Sequence, residues 1–408
     1  MTTTREFPIQ DIYDILDLQA GDKKLTSEDR QLLLAAVYEN LHSAKVMAPS
    51  NLELLISEDC NLRCDYCFEL LKNPKMMSPE VGVQSVDFLL RECGDTKDLA
   101  ILFFGGEPLL GFHTIRAIVE YADKTVADTN RNIFYTMTTN GTLITEEIGE
   151  FCRDHKIGML LSIDGLPDVH DAHRKTRTGK GSYALIEKNL PIIFKYFGRP
   201  QVRVTPYPDT ADKLVESINH LLELGFDNFI VGAAHGIDWP EREYAIFNLA
   251  MEQIIELAFD SKDRVPRFRL ETISSPPRRV GWGCRAGGGY ITVGADGRLG
   301  ACSLIMGLPG IGDKYILGDI KEGFASNPPL RQEFLLIQSQ RLQKCLQCDV
   351  KEFCCGGCPG NNYKATGSIL HPAPEVCREV RSRLAHQKLW HYYQQKYAGM
   401  RVWQLSED

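Results

Sequence analysis

The chain of 408 residues is long enough for one large domain with an appendage or two ordinary domains, and 43% apolar with 25% charged residues fits a globular fold, not a disordered or fibrous one. Lys and Arg number 46 against 54 Asp and Glu, a formal net charge of −8, and no basic block is dense enough to follow a phosphate backbone, which argues against nucleic acid as a partner. No apolar run reaches the roughly 18 residues that cross a bilayer, and the start Met1-Thr-Thr-Thr-Arg-Glu-Phe-Pro lacks the apolar stretch of a signal peptide, so no membrane role and a cytoplasmic location are expected.

Residues 1–50 read as a helical lead-in, with Ser27 as N-cap and Leu32, Leu33, Leu34, Val37 and Leu41 at helical spacing. From Leu52 short apolar runs alternate with amphipathic stretches. Strands are expected at 52–57, 100–104, 132–138, 158–163, 201–205 and 228–232, and helices at 79–92, 112–127, 145–154, 182–196, 211–223 and 241–259. Six βα units over 51–270 are too few for a closed eight-fold barrel and suit an α/β fold of the partial, TIM-like (β/α)6 type, whose loops at the strand C-termini carry the chemistry. An open doubly wound sheet is the main alternative. Beyond about 270 the helical rhythm fails and Gly, Pro and Cys concentrate, which predicts a small metal-stapled domain over 271–380. A helix near 378–397 follows, and 381–408 form a C-terminal helix and tail.

The cysteines carry most of the functional information. There are 13, and clustered thiols in a reducing compartment usually bind metal. Directly after the first strand comes Cys60-Asn-Leu-Arg-Cys64-Asp-Tyr-Cys67. Three thiolates on one loop suit an iron–sulfur cubane with one iron left open; a zinc loop completed by a distant residue is the alternative. Gly105-Gly106-Glu107-Pro108 ends the second strand, Thr139-Asn140-Gly141 the third and Ser162-Ile163-Asp164-Gly165 the fourth. His170-Asp171-Ala172-His173-Arg174 and Gly179-Lys180-Gly181-Ser182-Tyr183 come next.

This order of motifs on consecutive strand ends, with aromatic Tyr66 just before the last cysteine, resembles the radical S-adenosylmethionine (SAM) enzymes. The resemblance implies that Cys60, Cys64 and Cys67 hold a 4Fe-4S cluster whose open iron chelates SAM. Gly105, Gly106, Glu107 and Pro108 would hold the methionine amino group, and Thr139, Asn140, Ser162 and Asp164 would lie near the ribose and methionine. Arg174 or Arg203 would pair with the methionine carboxylate. The implied activity is reductive cleavage of SAM to a 5′-deoxyadenosyl radical that abstracts hydrogen, with the protein holding the target C–H bond and excluding water.

A second array runs Cys284-x12-Gly297-x4-Cys302, Cys345-x2-Cys348-x5-Cys354-x3-Cys358, then Cys377. It resembles the SPASM domain, a small C-terminal iron–sulfur domain with two auxiliary clusters, which implies three 4Fe-4S clusters in all. By that resemblance Cys345, Cys348, Cys354 and Cys377 ligate the outer cluster and Cys284, Cys302 and Cys358 the inner one, which lacks a fourth cysteine. Its remaining iron is then open to substrate or bound by a residue other than Cys. Cys93, Cys152 and Cys355 are left over; the first two fall in helical patterns as small buried thiols, and Cys355 reads as a bystander. Two zinc sites are the alternative for this array.

The SPASM branch implies a maturase of a ribosomally made precursor peptide. The outcomes in view are a C–S or C–C crosslink, or a backbone excision that removes tyramine and leaves a β-amino acid. Sulfatase-activating members place Asp after the cysteine equivalent to Cys302, whereas here Ser303 follows, which disfavours that activity. Tyr207, Asp209, His235 and Asp238, beyond the fifth and sixth strands, are candidate bases, or simply solvated loop residues. The roughly 50 residues before the first strand are too few for a leader-binding domain, so a separate leader-binding partner protein, or recognition through the N-terminal helix, is expected, with a reductase, flavodoxin or ferredoxin as electron donor. Two other readings stay open: a non-catalytic iron–sulfur electron carrier or metal-stapled binding module, and a radical SAM enzyme acting on a small molecule.

Overall fold

In the computed structural model the described residues are 48–69, 72–260, 265–277, 286–308, 312–324, 331, 345, 348–354, 356–369 and 371–404. The lead-in helix expected from Ser27, and Cys284 and Cys355, lie outside them. Strands β1 (Asn51–Ser57), β2 (Asp98–Gly105), β3 (Asn132–Thr139), β4 (Gly158–Ser162), β5 (Gln201–Val204), β6 (Asn228–Val231) and β7 (Arg269–Leu270) lie side by side in chain order, each parallel to the next. A doubly wound sheet would reverse its order at a switch point. From β1 to β7 the order never reverses, and the partial barrel is the fold.

Helices α1 (Pro79–Glu92), α2 (Phe112–Val126), α3 (Glu146–Asp154), α4 (Pro167–His173), α5 (Tyr183–Phe197), α6 (Leu214–Glu223) and α7 (Glu241–Phe259) follow the strands. Their starts are legible chemistry: Ser78 Oγ accepts from Val81 N at 3.3 Å with Pro79 in the first turn, and Thr145 Oγ1 accepts from Ile148 N at 3.3 Å. Each helix buries one stripe, such as Ile115, Ile118, Val119 and Ala122 of α2, against strand residues such as Leu54, Ile101, Phe103 and Met137. Because the sheet is covered, β1 is buried almost throughout, its polar Glu53 and Ser57 included. Cys93 and Cys152 are buried in this core, as small apolar side chains.

The C-terminal part departs from the expected rhythm. Past the short α8 (Glu271–Ser274), β8 (Tyr290–Val293) pairs in parallel with β1, Asn51 opposite Tyr290 and Leu54 opposite Val293. β9 (Arg298–Gly300) and β10 (Ile316–Asp319) continue antiparallel, so one ten-stranded sheet runs across residue 270. Strands of three or four residues carry too little periodicity to be read from sequence, and the seven-residue α4 escapes for the same reason. Helices α9 (Ser303–Met306) and α10 (Pro359–Thr366) precede a long α11 (Pro374–Gln404), which begins four residues before the expected helix. Trp390 of α11 is buried with its ring centroid 4.9 Å from that of Phe259 at the end of α7, fastening the last helix to the barrel. Among the described residues no helix is long and apolar enough to cross a membrane.

Candidate active site

The cysteine loop leaves the C-terminal end of β1 and is held by two neighbours. On one side the Gly105-Gly106 turn closes on it: Gly106 N donates to Ser57 O at 2.7 Å and Glu107 N to Asp59 O at 3.0 Å. A Cβ at Gly105, whose φ is +114°, would stand 2.3 Å from Ser57 O, and one at Gly106 2.2 Å from Asp59 O, so only glycine allows this approach. On the other side the segment after α4 zips onto the loop, with Arg63 N donating to Lys175 O at 2.6 Å and Asp65 N to His173 O at 3.0 Å. Arg177 Nε and Arg63 Nη1 both donate to Cys60 O, at 2.9 and 2.5 Å, and both guanidinium groups also meet Asp59. These arginines and Asp59 were not found from sequence, because ordinary charged residues far apart in the chain carry no spacing signal.

The sulfurs already receive donors. Leu62 N lies 3.3 Å and Asn140 Nδ2 3.8 Å from Cys60 Sγ, and Lys72 Nζ lies 3.1 Å from Cys67 Sγ. Burial pushes the Cys60 thiol up to about 12 and raises Cys64 as well. A bound iron's positive charge reverses that preference, so the donor set fits a thiolate-ligated cluster. Among the described residues no three His, Cys, Asp or Glu side chains close on a single ion position.

Glu107 is fully buried at the end of β2. Its Oε1 accepts from Leu109 N at 3.1 Å and Thr139 Oγ1 at 2.8 Å, and its Oε2 from Asn140 N at 2.8 Å. Burial raises its pKa to about 7 against these three hydrogen bonds. A carboxylate offers about four acceptor positions, so one stays open, and no cation among the described residues faces it. Asn140 in turn ties Asn61 and Thr142 together, bonding the third strand end to the cysteine loop.

Asp164, past β4, is saturated. Arg174 grips it through Nε at 2.7 Å and Nη2 at 3.1 Å, Thr205 N donates at 2.8 Å, and the Tyr66 hydroxyl bonds Oδ2. Burial alone would raise this carboxyl, yet the Arg174 charge outweighs it and holds Asp164 below the usual carboxylate range. The Arg174 guanidinium also lies 5.2 Å from the Tyr66 ring centre. Of the two arginines proposed for the methionine carboxylate, Arg174 is therefore committed within the protein. Arg203 has one side-chain bond, to Thr205 Oγ1 at 3.3 Å, and no carboxylate within ion-pair distance among the described residues, with Asp164 and Glu379 acting on it from farther away. It is paired in register with Ser162, whose hydroxyl has no bond among the described residues, so an unbonded hydroxyl and a cation without a contact ion pair stand together at the ends of β4 and β5.

His173 lies between Asp65 (3.1 Å) and Asp209 (2.8 Å), with the Tyr207 ring stacked on it at 4.1 Å. Two of the four candidate bases, Tyr207 and Asp209, thus gather beside the cysteine loop. His235 lies 3.5 Å from Glu379, and Asp238 is exposed on the loop after β6.

In the second array Cys345, Cys348, Cys354 and Cys377 line one small pocket, with Arg381 donating to Cys348 Sγ at 3.4 Å. Cys302 and Cys358 precede α9 and α10, and a Cβ at Gly360 would stand 2.6 Å from Leu304, so the two helices are packed together. Ser303, which follows Cys302, is buried and donates its N–H to the buried Glu53 at 3.2 Å.

Comparison with known proteins agrees with this geometry. Residues 54–199 match the radical SAM superfamily. An uncharacterized protein of Methanocaldococcus jannaschii, MJ0907, is 38% identical over 146 residues, which are 36% of this chain and 49% of that protein, so the chain spans about half the length of this relative. The radical SAM cyclopropyl synthase TigE of Paramaledivibacter caminithermalis is 23% identical over 80% of this chain and 71% of its own. The solved structure of native anSMEcpe with bound AdoMet and Cp18Cys peptide superposes with a TM-score of 0.69 at 21% identity, covering 85% of this chain and 99% of that one, a likeness of fold. The chain carries a radical SAM domain, from a family that uses a 4Fe-4S cluster and SAM.

Proposed function

We propose that the protein is a radical SAM maturase of a ribosomally made peptide, forming a crosslink or excising a backbone unit. Cys60, Cys64 and Cys67 would hold the cluster. Glu107, buried with one open acceptor position and no cationic partner, is the observation that carries the reading: an ammonium group is the partner its charge lacks. Arg203 and Ser162 would take a carboxylate and a hydroxyl of the same ligand. When bound, the cluster and SAM supply a carbon-centred radical that removes a hydrogen no acid or base reaches. The protein's own part is positional. Asp164 locks Arg174 and Tyr66, Asn140 fixes the cysteine loop, and the ring of Tyr207 with His173 walls the mouth.

Peptide as substrate draws support from the anSMEcpe complex, which holds one. By analogy with the SPASM pattern, the pocket lined by Cys345, Cys348, Cys354 and Cys377 would take an outer auxiliary cluster, and Cys302, Cys358 and Cys284 an inner one. A separate leader-binding protein and a flavodoxin, ferredoxin or reductase complete the reading, in the cytoplasm. The test is anaerobic purification, iron and sulfide counting, and incubation with dithionite and SAM. About 12 irons per chain and formation of 5′-deoxyadenosine are expected. Zinc in place of iron, or iron without SAM cleavage, would overturn it in favour of a metal-stapled binding module or electron carrier.

A further inference from the structure

A cavity of about 310 Å³ opens between the loop after β6, at Gly236–Trp239, and the helices α10 and α11. That volume is at the lower end of the roughly 300–1,000 Å³ typical of ligand clefts. The loop leaves the same end of the sheet as the cysteine loop. Its inner wall is cationic. Arg378 lies with its guanidinium 4.0 Å from the Tyr244 ring centre, and Nη2 donates to Trp239 O at 3.2 Å. The stack and that one bond orient the group, its Nε is buried without a partner, and no carboxylate pairs with it among the described residues.

Lys364, on α10, has no acidic partner among the described residues either. Its ammonium group lies against Gly236, where a Cβ would stand 2.2 Å from Nζ and where φ is +72°. The positive φ favours glycine at 236, and a side chain there would push the Lys364 amine aside. Asp238 and Glu375 line the same cavity and are exposed. A half-buried guanidinium and a lysine facing two exposed carboxylates suit a single carboxylate carried beside amide donors. They do not suit a polyanion such as a nucleotide, whose outer charges would meet Asp238 and Glu375.

We infer that this cavity binds a carboxylate of the peptide substrate, with Arg378 and Lys364 as its partners. The carboxylate is an Asp or Glu side chain or the peptide's C-terminus. The inference rests on the peptide reading above and deepens it: Arg378 and Lys364 act as specificity determinants, away from the hydrogen-abstracting centre.

The test uses iron-loaded full-length protein and two soluble pools of randomised hexapeptides, one ending in free acids and one in amides, with retained peptides identified by mass. Wild type is expected to enrich Asp or Glu at one position in both pools, for a side chain, or to retain the acid pool alone, for the C-terminus. Lys364→Met, at an exposed position, should weaken retention about threefold. Arg378→Gln should weaken it tenfold or more, with Arg378→Lys in between. Gly236→Ala, which displaces the Lys364 amine, should match Lys364→Met. Equal retention of acidic and neutral peptides by wild type, or unchanged selection in both Lys364→Met and Gly236→Ala, overturns the inference. 5′-Deoxyadenosine formation without peptide is measured alongside: its loss counts against the radical SAM reading, whereas the selection result judges the cavity alone.

Discussion

The two cysteine arrays are built on different foundations. The loop carrying Cys60, Cys64 and Cys67 is anchored on β1 and closed on both sides by backbone hydrogen bonds from the Gly106 turn and from residues 173–175. Under it lies the apolar core of a parallel sheet. The segment carrying Cys345, Cys348, Cys354 and Cys377 has turns such as Cys348 N to Cys345 O and one buried organiser. That organiser is Asn362, whose side chain bonds Gly356 O, Ile369 O and Ala373 N. The difference teaches that the fold itself positions the first loop. At the second array, if the proposed clusters bind there, metal binding and local folding would be coupled.

Four experiments break or sharpen that contrast. The largest effect belongs to Cys64→Ala, expected to abolish 5′-deoxyadenosine formation while hydrogen exchange of β1 to β4 stays as in wild type. Widespread deprotection of those strands would show that the loop, too, depends on its metal. Next, iron removal by a chelator should raise amide exchange in 348–369 by orders of magnitude and leave the barrel strands protected, read by exchange mass spectrometry.

Third, Asp164→Asn leaves Arg174 buried without its counter-charge, and loss of one partner of a buried pair costs about 3–5 kcal/mol. Denaturant unfolding of the barrel should register it, and a cost under about 1 kcal/mol would mean that water reaches the pair.

The smallest effect is a pH slope at Glu107. Burial lifts this group from 4.5 to about 7, so the folded chain holds the proton more tightly than the unfolded one. The associated stability is fully present below pH 4.5 and lost as pH rises through about 7, on the order of 3 kcal/mol at about 1.4 kcal/mol per unit. Glu107→Gln should flatten the slope, although the amide leaves one buried N–H donor facing another, a separate cost of about 1–3 kcal/mol. Added SAM should flatten it in wild type if its ammonium faces this carboxylate. An unchanged slope with SAM would remove Glu107 from the binding site.

Much of the site was legible because its parts are chemically marked. Spacing put Cys60, Cys64 and Cys67 on one loop, and Gly105-Gly106-Glu107 and Thr139-Asn140 stood at strand ends that hydrophobic patterning located to within two residues. Roles were less legible. Arg174 and Arg203 are equivalent in sequence, and only the distances to Asp164 separate a committed guanidinium from one without a contact ion pair. The Asp65–His173–Asp209 contact was equally hidden, because it joins loops of three different strands.

By itself, then, the sequence determined the six βα units, their order, and the loops that bear thiols and turn-forming glycines, since periodicity and backbone freedom are local properties. Tertiary structure alone decided that β8 extends the sheet along β1, that Asp164 is saturated while Glu107 is not, and that Arg378 and Lys364 share a cavity. The reason is physical: hydrogen-bond satisfaction and burial depend on which distant segments meet, and a chain of residue types does not record those meetings.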